Sequence, residues 1–179
     1  MLLEDYDVIK IRYFTADISA TPFDLSRASR QQIYLRALGT NSKIVIHKGK
    51  FRTDPKIMPL HPYQFDATGL PLTVKVKKTE EKGSDVNLAS HLLLDAFRNS
   101  SDLYIVLSND SDLVEPLRVL KDDLEKRTGI IFPTDRPSKV LIGTRVDIIR
   151  IVRQGVLASS QFADVLHDAN GIITKPQTW

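Results

Sequence analysis

Apolar and polar residues follow two different periods along this chain, and segments of the two kinds succeed one another. Alternation from residue to residue predicts strands over 6–14 (YDVIKIRYF), 43–51 (KIVIHKGKF) and 72–78 (LTVKVKK). The run LYIVL at 103–107 is continuously apolar, which is typical of a strand buried inside a parallel sheet. The shorter run IIFP at 130–133 predicts a further strand.

Between these strands, apolar residues recur at helical spacing. The pattern predicts helices over 24–38, 86–97 and 112–129. An α/β fold follows, because strands that alternate with helices usually form a mostly parallel sheet flanked by helices. A chain of 179 residues suits a single domain spanning 1–179.

Two stretches depart from the alternating order. Residues 53–70 are rich in Pro, His, Asp and Gly and predict an irregular excursion from the core. From about residue 137 the pattern predicts a C-terminal tail that is mainly helical, with one strand, and we expect Trp179 to dock the end of the tail on the core.

Composition narrows the class of protein. No apolar run approaches the roughly 18 residues of a membrane span, and acidic residues follow Met1 at once, so we expect no secretory signal and a cytoplasmic location. The chain has no cysteine, which excludes disulfides and cysteine-ligated zinc.

The net charge of +3 permits an anionic partner. The basic residues gather in two groups: Lys43, His47, Lys48, Lys50, Arg52 and Lys56, and then Lys75, Lys77, Lys78 and Lys82.

Three acids follow two of the predicted strands. Asp85 comes after 72–78 and opens a helix, and Asp110 and Asp112 come directly after 103–107. The carboxyl ends of parallel strands meet at one edge of a sheet, so we expect the three carboxylates to lie close together. Two like charges about 4 Å apart repel by roughly 4 kcal/mol at a typical effective dielectric. Helix N-termini offset only about 0.3–1 kcal/mol per acid.

A divalent cation is the remaining partner for these acids. Carboxylate oxygens suit Mg²⁺, and two such ions together can activate water for phosphodiester hydrolysis. The alternative interpretation is that Asp112, and with it Asp85, are helix N-caps, as aspartate commonly is. A cap needs only one acid, so Asp110 fits this alternative less well.

The same segments are similar to those of a known family. KTEEKGSDVNLASHLLLDAF (78–97) followed by SNDSDLVEPL (108–117) resembles the NYN-domain proteins, a branch of the PIN-like nuclease superfamily with a LabA-like bacterial group. The resemblance extends over nearly the whole chain, through IRYFTADIS and RQQIYLRAL near its start and GVLASSQF and GIITKPQTW near its end. It implies a PIN-like three-layer fold and a metal-dependent ribonuclease with Mg²⁺ or Mn²⁺ and an RNA substrate.

Carried over position by position, the resemblance gives roles to individual residues. Asp85, Asp110 and Asp112 match the family's metal-binding and catalytic acids, and Ser108 and Asn109 lie in the same motif as supporting residues. Two groups of weaker candidates complete the site: Lys78 and Lys82 as phosphate contacts, and Asp17 as an extra acid.

The resemblance also indicates a missing element. Family proteins usually begin with an apolar strand that ends in an IDGxN-type motif and is central in the sheet, whereas this chain begins with MLLEDYDVIKIRYF. Without that strand two inner strands keep unpaired backbone groups, at about 1–3 kcal/mol for each buried group. We therefore expect the purified chain to self-associate.

Three functions remain open at this point. The first is an Mg²⁺- or Mn²⁺-dependent endoribonuclease that cleaves RNA with metal-activated water. The second is a catalytically degenerate RNA-binding or regulatory protein of the same fold, which the missing first acid favours. The third is a phosphatase-like hydrolase, because acidic pairs after strands occur there too.

Overall fold

Eight strands and five helices make up the part of the chain that the computed structural model describes, residues 2–178. Trp179, expected to dock on the core, lies outside the described residues. The strands are β1 (Ile11–Ala16), β2 (Ile44–Pro59), β3 (Thr73–Lys82), β4 (Leu103–Leu107), β5 (Arg127–Phe132), β6 (Ile148–Ile151), β7 (Val165–Asp168) and β8 (Gly171–Thr174). The helices are α1 (Arg27–Gly39), α2 (Ser84–Phe97), α3 (Val114–Arg118), α4 (Lys139–Ile142) and α5 (Gln154–Ser159).

The first sheet contains β1, β2 and β3 in that order. β1 and β2 are parallel and joined by α1, and their pairing ends at Ala16 and Gly49. Beyond that point β2 pairs only with the antiparallel β3, and every residue from Lys50 to Lys82 is at least partly exposed to solvent. Residues 50–82 therefore form a projecting two-stranded hairpin, which we call the arm.

The second sheet contains β4, β5 and β6, all parallel, and β7 and β8 form a separate antiparallel hairpin. Parallel strands with helices on a sheet confirm the expected α/β class. Within residues 2–178, β1 and β4 are both edge strands, so no strand joins the two sheets. The expected absence of a central first strand stays a prediction.

α2 connects the two sheets. On one side, Arg12 of β1 makes a bidentate ion pair with Asp95 of α2, at 2.6 and 2.7 Å. On the other side, Leu88 and Leu92 of α2 pack against the core of the second sheet. That core consists of six buried side chains: Val106, Leu113, Leu117, Ile130, Phe132 and Leu141.

Several predicted boundaries are wrong, and strand pairing explains each. Residues 6–10 are not in a strand, because β1 pairs with β2 only from Ile11, opposite Ile44. The segment 53–70 is not wholly irregular, because β2 continues to Pro59 in register with β3. Pro55 is tolerated there because this part of β2 has a neighbour on one side only.

The predicted helix over 112–129 and the predicted helical tail also differ from the structure. The helix is divided into a 3-10 turn, α3 and a π-helical turn, and Glu125, with φ of 52°, ends it before β5 pairs with β4. The tail contains three strands, because β6 extends the second sheet and β7 folds back on β8.

In the described part of the chain no helix combines the length and the apolar character needed to cross a membrane.

Candidate functional site

The turn after β4 carries two of the predicted acids. Asp110 is the N-cap of the 3-10 turn Ser111–Leu113: its Oδ1 accepts a hydrogen bond from the backbone N–H of Asp112 at 3.0 Å. The backbone N–H of Asp110 in turn donates to Ser108 Oγ at 3.1 Å. The cap is therefore Asp110, and the expectation that Asp112 caps the helix is wrong. The carboxylate of Asp112 has no capping role and remains exposed.

Asn109 and Ser108 hold this turn in place. Asn109 Oδ1 accepts from the backbone N–H of Ser138 at 2.7 Å, and its Nδ2 donates to the Arg136 carbonyl at 3.3 Å. The Ser108 N–H donates to the Ile131 carbonyl at 3.1 Å, which continues the pairing of β4 with β5. Both residues thus fix the backbone on which Asp110 and Asp112 stand.

Asp85 lies in the first turn of α2, in the same electrostatic neighbourhood. The helix N-cap is Gly83, with φ of 96°, so Asp85 is not the cap. Partial burial raises the pKa of Asp85, and the negative charges of Asp110, Glu81 and Asp112 raise it further. Acids from two strand–helix junctions therefore interact electrostatically. The expectation that they meet at one edge of a parallel sheet is wrong, because β3 is antiparallel to β2 and lies in a different sheet from β4.

This pKa direction gives a prediction for Asp85→Asn. An acid whose pKa is raised by folding destabilises the folded chain once pH exceeds that pKa, since its charged form is then disfavoured. In metal-free buffer near neutral pH, Asp85→Asn should therefore melt at a higher temperature than the wild type. The gain should vanish below the ordinary pKa of aspartate, where Asp85 is protonated in both states. Scanning calorimetry across pH measures it.

The control for this experiment is Asp102→Asn, which removes an exposed carboxylate just before β4, at the far end from the acids. A gain for Asp102→Asn equal to that for Asp85→Asn would contradict the idea that crowded acids cause the effect.

The donor set suits a hydrated hard cation. In residues 2–178 no three His, Asp or Glu side chains stand close enough to enclose a metal ion. Mg²⁺ usually takes only one or two protein carboxylates and keeps several waters, so the exposed carboxylates of Asp110 and Asp112 suit such an ion without a third ligand. Soft metals fit poorly, because the chain has no cysteine.

Asp17 is not brought to this group. Its carboxylate pairs with Lys48 at 2.7 Å and accepts from Gln32 Nε2 at 3.0 Å, and both contacts lower its pKa. It is not among the carboxylates whose charge raises the pKa of Asp85. The two predicted phosphate contacts, Lys78 and Lys82, lie on the arm, where both pair with Glu80.

One functional position that the sequence analysis missed is Gly49. A Cβ there would lie 2.8 Å from Ser84 Oγ and 2.9 Å from the Lys82 carbonyl oxygen, closer than side chains tolerate. Glycine therefore lets β2 approach the start of α2 at Ser84, the residue before Asp85. The available signal was a glycine interrupting the strand pattern of KIVIHKGKF.

The chain is similar to one curated protein and one solved structure, and a family model matches most of it. A curated relative, 6-hydroxy-3-succinoylpyridine 3-monooxygenase HspA of Pseudomonas putida (strain DSM 28022 / S16), is 26% identical over 182 residues. The match covers 94% of this chain and 57% of the relative, so the chain spans little more than half of that protein's length.

A crystal structure of a protein of unknown function, VPA0982 of Vibrio parahaemolyticus RIMD 2210633, is 15% identical with a TM-score of 0.47. The match covers 82% of this chain and 70% of that one. The model of the NYN domain family matches residues 7–149, which include all three acids and most of the described fold. The chain therefore belongs to the NYN-domain family.

Proposed function

We propose that this NYN-domain chain is an Mg²⁺- or Mn²⁺-dependent endoribonuclease that hydrolyses RNA phosphodiester bonds in the cytoplasm. Asp85, Asp110 and Asp112 are the residues that would hold the metal. The observation that carries the proposal is the placing of the three acids at the start of α2 and in the turn after β4, within the residues that match the NYN family model. Burial and the charges of Asp110, Glu81 and Asp112 raise the pKa of Asp85, which supports it. Carboxylates whose pKa is perturbed by burial and by neighbouring charges are typical of catalytic sites.

Each residue of the site has a distinct task. A bound metal would supply activation of water and stabilisation of the leaving oxygen. Asp110 commits one carboxylate oxygen to the Asp112 N–H, which orients its other oxygen. Asp112 contributes an exposed carboxylate, and Asp85 would contribute a third carboxylate in its ionised form. Ser108 and Asn109 keep the turn rigid, which limits reorganisation when a ligand arrives.

A cleavage assay tests the proposal. The full chain is incubated with end-labelled single-stranded RNA in millimolar Mg²⁺ or Mn²⁺, or in EDTA. We expect cleavage only with metal, no turnover of a phosphomonoester, and a higher melting temperature with metal, since a ligand that binds only the folded state stabilises it. Cleavage in EDTA, or turnover of the phosphomonoester alone, would overturn the assignment.

The second candidate function is RNA binding without cleavage. It is favoured by the finding that no three metal-binding side chains in the described residues enclose an ion. RNA retention without products, and without a thermal shift by metal, would select this function in the same assay.

We also propose that copies of the chain associate through the free edges of β1 and β4, because unpaired strand edges template pairing with another chain.

A separate cavity of about 500 Å³ lies between α1 and the β7–β8 hairpin. The curated relative is named as a monooxygenase of a hydroxypyridine, so a small aromatic ligand is the alternative to test there. Its walls are mostly apolar, with Gln161 and Lys175 among the polar residues. None of the three acids lines it. A thermal shift by a hydroxypyridine carboxylate, combined with failure of RNA cleavage, would move the assignment from the acids to this cavity.

A further inference from the structure

The arm has two chemically different faces. The register of β2 with β3 places cross-strand partners on the same face, and successive pairs on opposite faces. One of these, which we call the basic face, carries five cationic and two acidic side chains: Lys50, Arg52, Asp54 and Lys56 from β2, and Lys78, Glu80 and Lys82 from β3. The opposite face carries Phe51, Thr53, Ile57, Lys75, Lys77, Thr79 and Glu81.

Glu80 gathers three of these cations. Its carboxylate pairs with Lys78 at 2.5 Å, Lys82 at 2.8 Å and Lys56 at 3.5 Å. These ammonium groups lower the pKa of Glu80 to about 2, so it stays ionised and holds them together. One acid among three lysines still leaves an excess of positive charge at close range.

At the foot of the arm, Lys50 lies directly opposite Lys82 in the register. Like charges in directly opposed positions destabilise a sheet. Among residues 2–178 Lys50 makes no ion pair, so this repulsion is offset only through the contact of Lys82 with Glu80. On the same face Arg52 pairs with Asp54 at 2.7 Å. Five cations against two acids still leave an excess of positive charge, which is complementary to an external anion.

The spacing of the cations fits a repeating anion. Along the basic face they stand at every second residue pair, first Lys50 with Lys82, then Arg52, then Lys78, then Lys56. Two residues of antiparallel strand span about 7 Å, comparable to the separation of neighbouring phosphates in an extended nucleic-acid strand. The row starts at Lys82, three residues before Asp85.

The tip of the arm presents two aromatic rings. Tyr63 and Phe65 are 65% and 61% exposed, and their ring centroids lie 6.4 Å apart at an interplanar angle of 26°. The tip is ordered by Asp66, whose Oδ1 accepts hydrogen bonds from the backbone N–H groups of Thr68 and Leu70 at 2.8 and 3.0 Å. Exposed aromatic rings beside a basic track are the usual platform for unpaired bases.

We propose that the basic face of the arm binds the phosphates of single-stranded RNA, while Tyr63 and Phe65 stack on its unpaired bases at the tip. The substrate is then a long unpaired strand that runs along the arm and reaches the acids at its foot. The cleavage step in this inference rests on the proposed function, whereas binding along the arm does not.

The test compares two pairs of lysines on the same hairpin. Lys56→Ala with Lys78→Ala alters the basic face, and Lys75→Ala with Lys77→Ala makes the same chemical change on the opposite face. Both double variants are made in the full chain carrying Asp110→Asn, so that the RNA stays intact, and binding of fluorescein-labelled single-stranded RNA is followed by anisotropy without metal.

We expect the basic-face variant to bind about tenfold more weakly, and the slope of log affinity against log salt to fall by about 1.4, since each lost phosphate contact removes about 0.7 for a single strand. The opposite-face variant should stay within about twofold of its parent. Tyr63→Ala with Phe65→Ala should weaken binding without changing the salt slope, because stacking releases no counterions.

Equal losses for the two lysine pairs, or equal affinity for a duplex of the same length, would overturn the inference. Failure here and failure of the proposed function are distinguishable. If wild-type chain cleaves RNA with metal but the two lysine pairs bind alike, only the inference fails. If the lysine pairs differ as expected but wild-type chain cleaves nothing, binding along the arm stands and the nuclease assignment fails.

Discussion

Asp110→Asn should lower metal-dependent RNA cleavage by roughly 100-fold or more, because even residues that only support a metal ligand commonly cost 10–100-fold when replaced. The fold should survive the change. Asparagine caps helices as well as aspartate does, so its side-chain oxygen can still accept the Asp112 N–H now bonded at 3.0 Å. The substitution therefore removes the negative charge and keeps the local hydrogen bond, and initial cleavage rates in Mg²⁺ measure the effect.

The matched control is again Asp102→Asn, which deletes the same charge at the opposite end of β4. Its cleavage rate should stay within about twofold of wild type, since surface substitutions away from special features have small effects. Circular dichroism and melting temperature establish that both variants are folded. Wild-type activity in a folded Asp110→Asn variant would remove Asp110 from the catalytic group.

The sequence predicts an element of this fold well when the apolar pattern that identifies the element lies within its own residues. LYIVL is a strand at the expected residues 103–107. Its expected place inside the sheet is wrong, because β4 is an edge strand in the described structure and only Tyr104 and Val106 are buried. α2 was also expected, and its residues Leu88 and Leu92 pack on the core. Both elements carry their own burial pattern, so nothing distant was needed to find them.

The arm shows where such signals stop. The strand predicted over 72–78 forms most of β3, but residues 53–59 of β2 contain Pro55 and several charges, so their sequence indicates a loop. They form a strand because β3 supplies their hydrogen-bond partners, in a register of ten residue pairs. Pairing of this kind depends on two segments together, and residues 53–59 do not show it alone.

Besides burial, the charges of Asp110 and Asp112 raise the pKa of Asp85, so two acids named from the sequence interact with it. The metal-binding role of the three acids stays a prediction. Which acid caps the turn depends on backbone angles, and the extended conformation of Asp110, φ −85° and ψ 123°, makes it the cap. The ion pair of Asp17 with Lys48 likewise depends on the register of β1 with β2, which periodicity does not specify.

Phe132→Ala should be the most destabilising substitution considered for this chain. Phe132 is fully buried at the end of β5 and contributes to the core with Leu113 and Leu117. Deleting a buried phenylalanine ring costs about 3–5 kcal/mol, through lost transfer free energy and the cavity left behind. For a domain of this size 1 kcal/mol corresponds to roughly 2–4 °C, so the melting temperature should fall by about 10 °C.

Phe23→Ala is the matched control, because Phe23 is 99% exposed and the same atoms are removed without forming a cavity. Its melting temperature should stay within about 2 °C of wild type. The comparison also bears on the site, since Leu113 closes the turn that begins at Asp110 and belongs to the same core as Phe132. An equal melting temperature for Phe132→Ala and the control would show that core packing does not stabilise that turn. The position of Asp110 and Asp112 would then depend on hydrogen bonds such as those of Ser108 and Asn109.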